Sequence, residues 1–151
     1  MSFSVSILKN PVFVWNERLE CQVPSWDESQ GDRNLDFVFD GKDFDELQTF
    51  LSIKLPPSKL REGENFGDFQ EREKNEYLEA AKEKGYEMLG HFWFFYDDAI
   101  YFPSEVIQLR EECMKVKNNS QNSDLITAMD KILLACKDAL KTNSGIYFGC
   151  D

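Results

Sequence analysis

The chain has 151 residues and a formal charge of −11, with 28 Asp and Glu against 17 Lys and Arg. Hydrophobic residues make up 42% and aromatics 14%, which excludes the apolar poverty of an acidic disordered chain at a length typical of one domain. The acidity works against nucleic acid and against an anionic membrane surface, both of which are held by cations, and it favours a basic protein partner.

The N-terminal residues Ser2 to Ile7 alternate serine with Phe3, Val5 and Ile7, the period-two pattern of a strand with one buried face. Residues 11–15, PVFVW, read as the next strand, with Asn10-Pro11 as the break. From Glu20 to Asn34 the text turns polar around Pro24 and Gly31, which predicts a long loop. LDFVFDG, 35–41, is a strand closed by an Asp-Gly turn. The next twelve residues place Phe44, Leu47, Phe50 and Leu51 at helical spacing, with Asp43 to cap the first turn and Glu46 to complete a capping box.

Pro56-Pro57 closes that helix and opens an irregular connector. Residues 69–85 form a surface helix with a thin apolar stripe, stopped by Gly85. His91 to Tyr96 alternates aromatic rings to both sides if extended, predicting a strand covered on two faces, with Asp97-Asp98 as a hairpin turn and AIYF returning beside it. Pro103 opens a helix with Val106, Leu109, Cys113 and Val116 inside and a Glu111–Lys115 pair outside. Leu125, Met129, Ile132, Cys136, Ala139 and Leu140 mark the last helix, and residues 145–151 a closing strand. The sum is one α+β domain, a mainly antiparallel sheet of about five or six strands packed in a single pair of layers with about three to four helices.

No stretch resembles a signal peptide or a membrane span, so the expected setting is the cytoplasm, and Cys21, Cys113, Cys136 and Cys150 form no CxxC pair. His91 is the sole histidine, which leaves no multi-histidine metal site and no local triad with a cysteine. A calcium-loop template set on Asp36 fails, because Val38 and Leu47 fall where oxygen ligands are required. Gly63 and Gly67 are followed by no Gly-Lys-Ser/Thr, and no GxSxG or GxGxxG occurs. The reading is therefore no catalytic residue, no metal and no cofactor.

Two functional expectations follow. The first is a non-enzymatic protein-binding domain, a monomer or small homo-oligomer. It meets a basic partner through Trp26, Asp27, Glu28, Asp32, Asp43 and Glu46, as an immunity-type inhibitor of a nuclease toxin would. The alternative is a ligand pocket or active site on an aromatic sheet face, built from His91, Trp93 and Tyr96.

Overall fold

The computed structural model of the protein describes residues 2–8, 12–18, 21–25 and 33–150. In chain order its elements are β1 (Ser2–Leu8), β2 (Val12–Asn16), β3 (Cys21–Ser25), β4 (Arg33–Asp40), α1 (Gly41–Leu51), α2 (Phe66–Glu83), β5 (Ala99–Tyr101), α3 (Pro103–Asn118), α4 (Ser123–Lys141) and β6 (Gly145–Cys150). The fold is α+β. Four strands form one antiparallel sheet in the order β4-β1-β6-β5, and β2 pairs with β3 apart from it. The main sheet has fewer strands than the sequence suggested because residues 12–16 pair with β3 instead of joining it and the aromatic run at 91–96 is not a strand.

The alternation in β1 decides which face of the sheet is buried. Phe3, Val5 and Ile7 lie opposite Cys150, Phe148 and Ile146 of β6, and β5 adds Ala99 and Tyr101 on the same side. With Phe39 of β4 these make an apolar surface almost wholly withdrawn from water. On the other side Ser6 Oγ donates to Asn34 Oδ1 at 2.6 Å, and Val38 is exposed. Helix α4 lies over β1, β4 and β6, α3 over β5 and β6, and α1 packs on α4 and β4. All the inward residues expected on α3 and α4 are buried, Leu140 only in part. Each large side chain buried this way contributes roughly 1.5–3 kcal/mol.

β4 carries an irregularity. Ser4 faces Val38 and Ser6 faces Asn34, so two residues of β1 span four of β4. The excess is even, and the in-out alternation of β4 survives it, with Phe39 inside and Val38 outside.

Local departures from the sequence reading have local causes. β3 runs through the polar stretch expected to be a loop, with Pro24 opposite Phe13. A two-stranded ribbon is all edge, and an edge tolerates a residue without an N–H. The Asn10-Pro11 break and residues 26–32 lie outside the described residues. No Asp-Gly turn separates β4 from α1. Asp40 is the N-cap, its Oδ1 accepting from Asp43 N while Asp43 Oδ2 accepts from Asp40 N, both at 2.9 Å. The spacing D-x-x-D-x-x-E offers two capping boxes, and the earlier one forms. α1 then ends at Ser52, in the left-handed region at φ 48°, ahead of the prolines. α2 begins at Phe66, capped by Asn65 Oδ1 on Asp68 N at 2.8 Å, and Gly85 follows it at φ +89°. On α3, Lys115 does not pair with Glu111; its ammonium sits 4.6 Å from the Tyr86 ring centroid.

The aromatic run is not a strand. Leu89–His91 is one 3-10 turn, and residues 92–98 follow without regular structure before β5. Leu89 and Phe92 are fully buried and Phe95 is partly buried, whereas Phe94 and Tyr96 face solvent. The inward step is thus three residues, not two. Phe92 meets Phe39 and Phe148 at 5.0 Å, Phe3 at 5.8 Å and Tyr101 at 6.2 Å between ring centroids.

Candidate functional site

The outer half of the aromatic run is held in place by α2 and by two aspartates. Asp97 Oδ2 accepts the Trp93 indole N–H at 2.7 Å and lies 3.2 Å from Lys74 Nζ on α2. Asp98 turns the other way, its Oδ2 accepting from Tyr147 Oη at 2.7 Å and its Oδ1 from Cys150 N at 2.8 Å. The expected hairpin dipeptide is in fact a pair of anchors, one to α2 and one to β6. Between them Trp93, Phe94 and Tyr96 form, with Gly67, Gln70, Glu71 and Lys74 of α2, a surface hollow of about 290 Å³.

Glu71 belongs to a second hollow as well. That one, about 420 Å³, runs along the outer face of α2 and is walled by Asp68, Glu71, Glu76 and Glu79 with Arg72 and Asn75. The single cation is already committed. Arg72 forks onto Glu64, Nε to Oε2 at 3.1 Å and Nη2 to Oε1 at 2.9 Å, and also donates to the Lys59 carbonyl at 2.8 Å. That grip, with the Arg61 N–H, holds the Glu64 carboxyl down to about 2. Arg72 also lies 3.7 Å from Glu76 Oε1. The connector is thereby tied to α2, and the other carboxylates of the groove, Asp68, Glu71 and Glu79, are left exposed.

The sequence-predicted site residues are scattered. Trp26, Asp27, Glu28 and Asp32 lie outside the described residues. Asp43 is buried and spent on the α1 cap and on Lys131 Nζ of α4, 2.6 Å from its Oδ2. Glu46 accepts from Asn122 Nδ2 at 3.0 Å, where the α3–α4 connection passes α1. Trp93 and Tyr96 share the aromatic hollow, but His91 does not join them. Its ring stacks on Tyr101, 4.9 Å between centroids and 16° between planes, and opens toward Asn75, Leu78, Glu79, Lys82 and Glu87. Burial holds the imidazole below its ordinary value, with Glu105 pulling the other way, so it is neutral at pH 7.

Two of the thiols are sealed away. Burial pushes the thiol of Cys136 up to about 12 and that of Cys113 well above its usual range. Among the described residues no group of three His, Cys, Asp or Glu side chains is arranged to hold a metal, and no helix is long and apolar enough to cross a membrane.

Sequence reasoning missed Glu112. It sits on the inner face of α3, 5% exposed, and accepts Leu89 N at 2.9 Å, Met88 N at 3.1 Å and Gln108 Nε2 at 3.1 Å. Tyr101 Oη donates to the Met88 carbonyl at 2.7 Å beside it. Together they fix the start of the 3-10 turn, which positions the aromatic run. Burial raises the Glu112 carboxyl above its ordinary value even against those backbone donors. The signal was present: Glu112 falls three residues after Leu109 on a stripe otherwise made of apolar residues. No family model, curated protein or solved structure matches the chain.

Proposed function

We propose that the chain is a non-enzymatic protein-binding domain whose partner is basic, and that the partner docks where the aromatic hollow meets the acidic face of α2. The observation that carries this reading is Glu71, shared by a hollow of Trp93, Phe94 and Tyr96 and by a groove walled with carboxylates. Rigid aromatic anchors ringed by charge of one sign combine desolvation energy with electrostatic steering. Phe66, 66% exposed at the start of α2, adds a further ring to the same helix. An immunity-type inhibitor of a nuclease is one form of such a domain, because surface carboxylates can occupy a cleft built for phosphate.

The ligand-pocket reading has weaker support. The aromatic hollow, at about 290 Å³, sits at the bottom of the range of roughly 300–1,000 Å³ for small-molecule pockets. Two of its polar groups, the Trp93 N–H and the Lys74 ammonium, are engaged with Asp97. The test is affinity capture from native lysate with the wild type and with a Glu71→Lys, Glu79→Lys, Tyr96→Ala variant, both shown to be folded. A stoichiometric basic protein released by moderate salt from the wild type and absent from the variant is expected. Equal capture by both, or none by either, overturns the proposal.

A further inference from the structure

A second surface carries the opposite charge. Arg110 of α3 and Lys137 and Lys141 of α4 surround, with Leu133 and Leu140, a hollow of about 460 Å³ whose walls contain no carboxylate. None of the three cations has an anionic partner among the described residues, although most other lysines and arginines of the helices do, including Lys42, Arg72, Lys74, Lys117 and Lys131. The neighbouring apolar residues are exposed: Ile107 and Met114, on the α3 stripe of Arg110, at 48% each, and Leu134 at 55%. Lys137 and Lys141 are also shared with an adjoining hollow against β4, where Asp36 and Asp138 are the anionic residues. In a chain of net charge −11, an apolar furrow lined only by cations is an inversion of the average surface.

We propose that this furrow between α3 and α4 binds an amphipathic helical segment of a partner protein, with apolar side chains in the furrow and Asp or Glu along its flanks. A groove between two packed helices has the ridge spacing that accepts a third helix. Charge complementarity assigns the flanks, since three unpaired cations at the rim select carboxylates and leave a basic helix unpaired. The net charge of the whole chain does not prevent this, because at physiological ionic strength its field is screened within about 8 Å and the local cations dominate a narrow contact. It does oppose an anionic bilayer, which is broad enough to face the carboxylates around the furrow as well.

The experiment is selection from a random 16-residue peptide library displayed on phage against the intact protein, alongside vesicles of phosphatidylserine and phosphatidylcholine in a flotation assay. The expected result is enrichment of peptides with acidic residues flanking an i, i+3, i+4, i+7 apolar pattern. Their affinity should fall about tenfold or more in the Lys137→Glu, Lys141→Glu variant. Both positions are exposed, and an unchanged circular dichroism melt shows that the variant is folded. No acidic-apolar class among the selected peptides, or affinity indifferent to the reversal, overturns the proposal. Vesicle binding lost on reversal, without peptide binding, overturns it in favour of a membrane contact.

Discussion

Phe92→Ala and Tyr96→Ala, four residues apart in one aromatic run, should differ in stability by a large fraction of the protein's margin. The Phe92 ring is fully buried and touches four other rings, so its removal leaves a cavity that the sheet and helices close only in part. Truncations of this kind cost about 3–5 kcal/mol, out of a total near ~5–15 kcal/mol. With a urea slope of about 2 kcal/mol per molar, the midpoint should fall by about 2 M. Tyr96 is 64% exposed, and replacing it should move the midpoint by no more than about 0.25 M, from a change within about 0.5 kcal/mol. Urea denaturation followed by circular dichroism measures both, and Phe92→Leu, at about 1–2 kcal/mol, keeps the comparison measurable if the alanine variant does not fold. A strand would place residues 92, 94 and 96 on one face and make the two variants alike. Midpoints within 0.5 M of each other, by the same slope of about 2 kcal/mol per molar, would refute the three-residue step.

Further consequences concern ionisable groups. Glu112→Gln should cost about 1–3 kcal/mol, because an amide cannot accept from Met88, Leu89 and Gln108 together. Its folded carboxyl lies above the unfolded value of 4.5, so the folded state binds more protons and the wild-type advantage should shrink as pH rises from 4.5 through the raised value. Denaturation of both proteins between pH 4 and 8 reads that slope, and a widening gap would contradict it. For Glu64 the sign is reversed. Its contribution is complete above 4.5 and lost as pH falls through about 2, and carboxyl NMR should find that midpoint moving back toward 4.5 in Arg72→Gln. Native thiol labelling should reach Cys150 while Cys113 and Cys136 stay unmodified until the protein is unfolded; early labelling of either buried thiol would show that α3 and α4 separate readily. Asp43→Ala leaves the Asp40 cap in place but removes the reciprocal bond from Asp40 N and the Lys131 contact together, and should cost about 1–2 kcal/mol, the combined scale of one hydrogen bond and a part-exposed ion pair; urea denaturation checks it.

Elements with a strong period were legible in the sequence, and elements held by single contacts were not. β1, α3 and α4 follow from alternation or helical spacing because their burial is set by whole faces packed against one another. The run from His91 to Tyr96 misled because aromatic residues at every position satisfy any period, so the sequence alone could not choose between a step of two and a step of three. What chooses is distant: Glu112, twenty-three residues on, holds Leu89 N, and Gln48 Nε2 donates to the Phe92 carbonyl from α1. The acidic residues near α1 were conspicuous as charge, yet two of them are internal fasteners to α4 and Asn122. The hollow shared through Glu71 was invisible for the same reason, since it joins α2 to a segment more than twenty residues later whose path has no local signature.

The two extra residues of β4 opposite β1 bear on what the edge of the sheet offers to a second copy. The end strand of a sheet offers a row of backbone donors and acceptors, which a second copy can extend into a growing stack. β4 ends the sheet on one side, but its widened stretch between Asn34 and Val38 breaks the regular repeat that an incoming strand would have to match, with Asp36 in the middle of it. At the other end β5 is three residues long, too short to template much. Both borders of the main sheet are therefore poor templates for an added strand, one because its spacing is irregular and the other because it is short.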